Sequence, residues 1–175
     1  VINRLKEFTT MLSTHSDFEF IIIDTNPQFG PLTMAGLRAA THGLLPTELE
    51  QYGINGTIGM IEAISQEQLR RSKDDSIQIA GILPNQVRRT AVHNKFLNDL
   101  QTIEGSEKWL LPPIAQRTIY TELVVEDAKP NCVFNLVPSH AARKESERWC
   151  WDVYERVFKN IYNKVYQKGE LAYGK

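Results

Sequence analysis

The chain has 175 residues, of which 42% are apolar and 23% are charged. This composition excludes a disordered chain and is typical of a globular protein with a hydrophobic core. Twenty basic and twenty-one acidic side chains leave a net charge of −1, which excludes a histone-like polycation. Basic character nevertheless collects toward the C-terminus, because the charge balance is −3 over residues 1–60 and +3 over residues 139–175.

The cysteine content and the first residues indicate the kind of protein that this chain comes from. Cys132 and Cys150 are too few for a disulfide framework or a zinc site, so we expect two reduced thiols in a cytosolic protein. The chain begins at Val1, without an initiator Met and without the layout of a signal peptide. It opens directly into a helical pattern, and we therefore expect an internal start.

The first quarter of the chain predicts a helix, a strand and a second helix. Apolar residues at helical spacing over residues 1–12 predict the first helix. Residues 18–24 are a short, β-branched and nearly continuous apolar run, which predicts a strand buried on both faces. Residues 26–31 contain two prolines and a glycine that break the chain, and residues 32–39 suggest a short helix.

Strands and helices continue to alternate over the rest of the chain. The predicted elements are a strand over residues 43–46 that ends at Pro46, a helix over 56–70, a strand over 76–83 that ends at Pro84-Asn85, a helix capped by Thr90, a strand over 109–111 that stops at Pro112-Pro113, and a strand or extended loop over 132–137. Ser139 then opens a long C-terminal helix, over residues 139–168, with one apolar stripe.

This alternation predicts one α/β domain over residues 1–175, with a mostly parallel sheet and helices on both faces. In such sheets, ligands bind beyond the carboxyl ends of the strands. Polar residues and prolines follow several predicted strands, beginning at Asp24, Pro46, Pro84 and Pro112. We therefore expect the functional site at this edge of the sheet.

Asp24 is the first candidate in this site. A carboxylate that ends a buried strand is typical of the residue that holds the water shell of Mg²⁺ in P-loop nucleotidases. Aspartates also cap helices and close turns at strand ends, so the apolar run by itself leaves both interpretations open.

The residues after Asp24 resemble the switch region of the ParA/MinD family of deviant Walker ATPases. That region reads hydrophobic–Asp–Thr/Cys–Pro–Pro–x–x–Gly–x–Leu–Thr, and the matching residues are Asp24, Thr25, Pro27, Gly30, Leu32 and Thr33. Asn26 stands where the family has its first proline. Four later blocks are similar to the family in the same order: residues 44–53, 80–90, 111–122 and 138–142.

The family's glycine-rich phosphate loop is not in this sequence, which contains no G-x-x-x-x-G-K-[ST] motif. Residues 53–59 are rich in glycine but have no lysine, and they predict a loop entering a helix. The resemblance implies that the phosphate loop, with the strand before it, lies upstream of Val1. We therefore expect this span alone to be inactive and the complete protein to hydrolyse ATP.

The resemblance implies a nucleotide site at the predicted sheet edge. Asp24 is expected to hold Mg²⁺ through water, and Thr25, Asn26, Pro27 and Gly30 to form the switch that senses the γ-phosphate of ATP. Pro84, Asn85, Pro112 and Pro113 are expected to lie against the adenine, since an asparagine amide pairs with both a donor and an acceptor. For the Pro112-Pro113 pair, a simple strand stop is an equally good interpretation.

The resemblance also implies partners. The complete protein is expected to form a homodimer with ATP, to bind nucleoid DNA in the cytoplasm without sequence preference, to move or space a cargo, and to respond to a ParB-like or other adaptor. The candidate DNA-binding residues are Arg88, Arg89, Lys95, Lys108, Arg117, Arg143, Lys144 and Arg148. A solvated surface is the alternative for each of them, and His140 stands where relatives often have an arginine.

Two other functions remain open. A membrane-cycling ATPase of the MinD type would need an amphipathic tail, whereas residues 166–175 contain two glycines and have no apolar face, so we expect no membrane binding. A non-catalytic interaction domain is the second alternative, and it requires Val1 to be the true first residue.

Overall fold

The computed structural model describes residues 2–15, 18–26, 28–73, 75–103, 105–117 and 153–172, with only the backbone for residues 2 and 167–172. In chain order, the elements are α1 (Ile2–His15), α2 (Pro31–Ala39), β1 (His42–Glu48), α3 (Gln51–Leu69), β2 (Gln78–Asn85), α4 (Ala91–Gln101), α5 (Ser106–Trp109), a π-helical turn (Tyr154–Phe158) and α6 (Lys159–Ala172). The predicted strand over residues 132–137 and the beginning of the long C-terminal helix lie outside the described residues.

The sheet is parallel, as the sequence predicts. β1 pairs with β2 from His42 opposite Gln78 to Glu48 opposite Asn85, with one irregularity after Gly43. On the other side of β2, residues 110–116 run in the same direction and form two single bridges. The spatial order among the described residues is therefore β1, β2 and the 110–116 segment.

Prolines reduce the contact between β2 and the 110–116 segment to these separate bridges. Leu111 N donates to Ile82 O at 2.9 Å and Ile114 N donates to Pro84 O at 2.9 Å, but the two residues between them, Pro112 and Pro113, have no N–H to donate. The predicted strand over residues 109–111 is therefore wrong, since Trp109 ends helix α5 and Leu110 forms only a bridge.

Two hydrophobic clusters lie on opposite faces of β2. Ile82 belongs to the larger cluster, with residues from α2, β1, α3 and α4. Its neighbour Leu83 belongs to the second cluster, in which Val153 and Val157 of the C-terminal helical segment pack on Leu111 and Ile114. Because successive residues of a strand point to opposite faces, helices cover both faces of the sheet. The α/β fold with helices on both faces is confirmed.

The prediction of a strand buried on both faces over residues 18–24 is wrong for this structure. Residues 18–26 form neither helix nor strand, and Ile22 is 92% exposed. A strand of this kind needs paired neighbours at its edges and packed elements on its faces, and the described residues supply no such strand partner. The composition of this segment suits a buried strand. Burial also requires neighbouring strands and helices, which the composition of the segment does not determine.

Three boundaries also differ from the sequence prediction. β1 continues through Pro46 to Glu48, since among the described residues it has a ladder on one side only and a proline is tolerated in such a strand. β2 continues through the buried Pro84 to Asn85, although it has neighbours on both sides. Residues 53–59 lie inside helix α3, which begins at Gln51, and not in a loop. Gly53 makes this early start possible, since a Cβ there would overlap the carbonyl oxygen of Glu48.

The predicted cap of α4 is confirmed. Thr90 has an extended backbone, and its Oγ1 accepts a hydrogen bond from His93 N at 3.2 Å. Thr90→Ala is expected to lower the free energy of unfolding by about 1 kcal/mol, because one N–H of the first turn loses its partner. Urea denaturation checks this value. Thr10→Ala is the control, since the Thr10 hydroxyl donates only to Lys6 O in its own helix. An equal loss for both variants would contradict the capping role.

No helix in the described part of the chain is both long enough and apolar enough to cross a membrane.

Candidate functional site

Asp24 presents an accessible carboxylate at the start of residues 24–30, which the resemblance predicts to be a switch and which are called the switch segment below. The residue is exposed, and none of the described residues donates a hydrogen bond to it. A water-mediated Mg²⁺ site needs a carboxylate with free lone pairs, and Asp24 fits that requirement. The described residues contain no group of three or more His, Cys, Asp or Glu side chains that would hold a metal directly.

Hydrogen bonds fix the turn after Asp24, where the family pattern has a proline. Asn26 Oδ1 accepts from Gln28 N at 3.0 Å, which is the side-chain-to-backbone bond of an Asx turn. Thr33 Oγ1 lies within hydrogen-bonding distance of Asn26 O, at 3.2 Å, and of Gln28 O, at 2.7 Å. Asn26 therefore takes part in the contacts of this turn through both its side chain and its carbonyl oxygen. Pro27 lies outside the described residues.

Thr33 is a site residue whose role the sequence analysis did not assign. It is 2% exposed and sits in the first turn of α2, which begins with Gly30 at the N-cap and Pro31 at its first position. Its place in the switch motif is visible in the sequence, but its hydrogen bonds back to the turn are not.

Helix α2 also packs directly on the switch segment. A Cβ at Gly36 would lie 2.8 Å from Thr25 Cγ2 and 3.5 Å from Ile23 Cγ2. The absence of a side chain at Gly36 therefore lets the helix approach the residues on either side of Asp24. Thr25 therefore lies beside Gly36 of α2, while Asn26 lies beside Thr33 of the same helix and Gly30 is its N-cap residue.

The residues expected against the adenine also lie side by side. Ile114 N bonds to Pro84 O, and Val87 N bonds to Ile114 O at 3.0 Å. These bonds hold Pro84 and Asn85 alongside Pro112 and Pro113. Pro84 is fully buried, while Asn85 is half-buried and makes no side-chain hydrogen bond with the described residues. The Asn85 amide is thus free to pair with a ligand.

A side-chain bond joins the ends of β1 and β2 at the same edge. Gln86 Nε2 donates to Glu48 Oε1 at 2.9 Å. Gln86 has a φ of 53°, in the left-handed region that residues other than glycine rarely adopt. Such strain is often found at functional turns. The sequence analysis did not predict this pair, since a glutamine carries no sequence signal for a positive φ.

The described basic candidates lie on the surface after β2. Arg88, Arg89, Lys95, Lys108 and Arg117 are all exposed. The Arg88 side chain donates to Gln116 Oε1, which brings Arg117 next to the Arg88–Arg89 loop. Arg143, Lys144 and Arg148 lie outside the described residues.

Two lysines of the C-terminal helical segment make contacts of different kinds. Lys164 Nζ donates to Lys108 O at 3.1 Å, so its ammonium lies beside α5. Lys159 pairs with Glu155 at 3.0 Å, and this hydrogen bond raises the pKa of Lys159. The charge of Lys159 is therefore partly balanced within its own helix.

Comparison of the sequence with known proteins identifies relatives of this chain. The model of the AAA domain AAA_31 matches residues 3–79. A probable plasmid-partitioning protein ParA of Thermus thermophilus is 30% identical over 158 residues, which are 85% of this chain and 46% of that protein. The chromosome-partitioning ATPase Soj of the same organism is 27% identical over 66 residues, which are 38% of this chain and 26% of Soj. The chain belongs to the ParA/MinD-type family of partition ATPases.

Solved structures agree with this family at the level of the fold. The ATP complex of a Cyanothece McdA variant has a TM-score of 0.63 and 19% identity, with 89% of this chain and 57% of that chain covered. Apo McdA gives the same TM-score at 18% identity, with 94% of this chain and 59% of that chain covered. This ParA-type chain thus spans about half the length of the proteins that it matches over most of its own length.

Proposed function

We propose that this chain is part of an ATP-hydrolysing partition protein that dimerises with ATP and binds DNA without sequence preference. Its role would be to segregate or space a cargo such as a plasmid, a chromosome origin or a protein compartment. The observation that carries the proposal is the switch segment, in which an accessible Asp24 precedes a turn bonded to Thr33 of α2. The relation to ParA and Soj supports the reaction class.

The nucleotide would bind along the edge where the strands end. Asp24 would hold Mg²⁺ through its water shell, and the bound ion would neutralise charge on the phosphates. The turn from Asn26 to Gly30 would sense the γ-phosphate, and its contacts with Thr33 would link it to helix α2. Asn85 would pair with the adenine edge, between Pro84 and the Pro112-Pro113 pair. The phosphate-binding loop would come from sequence outside these 175 residues.

DNA would bind to the exposed cations after β2. Phosphate contacts supply affinity without sequence information, so accessible Lys and Arg side chains suffice. Arg88, Arg89 and Arg117 form one group around the Gln116 contact, and Lys108 and Lys164 form a second group. Arg143 and Lys144 remain candidates from the sequence alone. Dimerisation with ATP would double this surface, and a ParB-like or other adaptor would stimulate hydrolysis and release the DNA.

ATP-dependent DNA binding by the complete protein tests this proposal. We expect the unmodified protein to bind a labelled duplex of arbitrary sequence with ATP and not without nucleotide. The Arg88→Ala/Arg89→Ala variant should bind about tenfold more weakly, and the slope of log affinity against log salt should fall by about 2, since each phosphate contact contributes roughly 0.9. Fluorescence anisotropy over about 50 to 200 mM salt measures both quantities.

The matched control removes two charges from a different part of the molecule. Arg70→Ala/Lys73→Ala changes two exposed basic residues just after the end of α3, and it should leave the affinity and the salt slope unchanged. Equal losses in both double variants would mean that net charge, and not this surface, controls binding. Binding to anionic vesicles in place of DNA would favour the membrane-cycling alternative. Absence of ATP binding by the complete protein would favour the non-catalytic interaction domain.

A further inference from the structure

Among the described residues, the contacts that hold the segment carrying Asp24 come from side chains and not from a β-ladder. In the described part of the chain, no backbone hydrogen bond ties residues 18–26 to another element. At the end after Asp24, α2 contacts Thr25 through Gly36 and bonds Asn26 through Thr33. At the other end, the contacts that the described residues show come from a side chain before Asp24, that of Phe20.

Aromatic rings from the C-terminal helix occupy that other end. The ring of Phe20 lies 5.6 Å from the ring of Tyr162 and 6.4 Å from that of Tyr166, measured between centroids. Tyr162 and Tyr166 stack on each other at 5.2 Å with an interplanar angle of 11°. These separations fall within the range in which aromatic rings attract one another. Phe20, Tyr162 and Tyr166 are called the ring cluster below.

These tyrosines belong to the C-terminal helical segment, residues 153–172. The same segment packs beside the prolines of the proposed nucleotide site. Val157 packs with Leu111 and Ile114, and Ile161 packs against the same cluster. Leu111 and Ile114 flank the Pro112-Pro113 pair. This helical segment therefore contacts both the segment before Asp24 and the segment that carries the prolines.

We propose that the ring cluster positions Asp24 relative to the proline side of the nucleotide site. Phe20 lies four residues before Asp24, and the tyrosines fix Phe20 to a helix that is itself fixed beside Pro112 and Pro113. Tyr162 and Tyr166 are thus positioning residues, which act through Phe20 and do not touch the nucleotide. The proposal rests on the proposed function, because it assigns to Asp24 the Mg²⁺ side of an ATP site.

The test is the Mg²⁺ dependence of ATP hydrolysis by the complete protein. Tyr162→Ala/Tyr166→Ala should raise the Mg²⁺ concentration for half-maximal activity about tenfold while KM for ATP changes less than about threefold, since the adenine contacts stay in place. Tyr162→Phe/Tyr166→Phe keeps both rings and should stay within about twofold of the unmodified protein. Tyr52→Ala, at an aromatic residue that is 89% exposed on α3, is the control and should change neither value.

A double-mutant cycle between Phe20→Leu and Tyr162→Ala shows whether the rings interact. We expect the effects of the two substitutions on the unfolding equilibrium constant to deviate from independence by about 3- to 10-fold. Independent effects would overturn the ring contact. Alanine variants with unchanged Mg²⁺ dependence, or phenylalanine variants as impaired as the alanine ones, would overturn the positioning role. Full activity of Asp24→Asn would instead overturn the proposed function on which this inference rests. The measured coupling between the rings would still stand.

Discussion

Asp24→Asn in the complete protein is expected to lower the rate of ATP hydrolysis by about 10²- to 10³-fold. The substitution removes one negative charge and keeps the size of the side chain. Asp24 is exposed, and no described residue depends on it for a hydrogen bond, so the fold should be retained. The loss should therefore fall on Mg²⁺ and the phosphates that Mg²⁺ neutralises. Phosphate release at saturating ATP measures the rate, and the temperature of unfolding without nucleotide should stay the same.

Glu19→Gln is the matched control for this change, because Glu19 is an exposed carboxylate on the same segment. It should hydrolyse ATP within about twofold of the unmodified rate, as surface charges outside a site have small effects. A similar loss in Glu19→Gln would show that the charge of the whole segment matters. Full activity in Asp24→Asn would exclude Asp24 from the reaction.

Arg71→Ala is expected to reduce the free energy of unfolding by about 3 to 5 kcal/mol. The Arg71 side chain is 3% exposed and donates to the carbonyl oxygens of Leu37, Arg38 and Ala40, at 2.6 to 2.9 Å. It thereby satisfies the C-terminal carbonyls of α2 and lies 3.6 Å from the buried Glu67 carboxylate. Alanine would leave that carboxylate with less compensation and those carbonyls without their donor.

Arg70 is the neighbouring control. Its side chain is 60% exposed and lies 3.9 Å from Glu67, so Arg70→Ala should cost less than about 1 kcal/mol. Glu67→Gln/Arg71→Met removes both buried charges and should be less destabilising than Arg71→Ala alone. Urea denaturation measures all three variants. Equal losses for Arg70→Ala and Arg71→Ala would contradict the capping of α2.

Local patterns predicted much of this fold because they depend on nearby residues. The Thr90 cap needs only the amide of His93, and the parallel sheet follows from strands that alternate with helices. The apolar stripe of the C-terminal helix is likewise confirmed at Val153 and Val157. Each of these features is determined within a few turns or by a repeated pattern, which a sequence displays directly.

Features that depend on distant neighbours could not be predicted in the same way. Residues 18–24 have the composition of a buried strand, but their neighbours in space decide whether a ladder forms. The glycines of α3 suggested a loop, whereas Gly53 serves a close approach to Glu48. In the site, the motif indicated Asp24 and the switch turn, but the bonds from Thr33 and the Gln86–Glu48 pair depend on the folded backbone.

The prolines opposite β2 also decide how this edge of the protein exchanges its amide hydrogens with solvent. Pro112 and Pro113 carry no amide hydrogen, and of the residues around them Leu111, Ile114 and Gln116 donate theirs to β2 or to Val87. Slow exchange in this stretch should therefore be confined to a few separate amides. The two prolines between Leu111 and Ile114 give no exchange signal. A ligand resting on the two prolines would leave almost no direct trace in an amide-exchange map, and its footprint would instead emerge at the residues on either side.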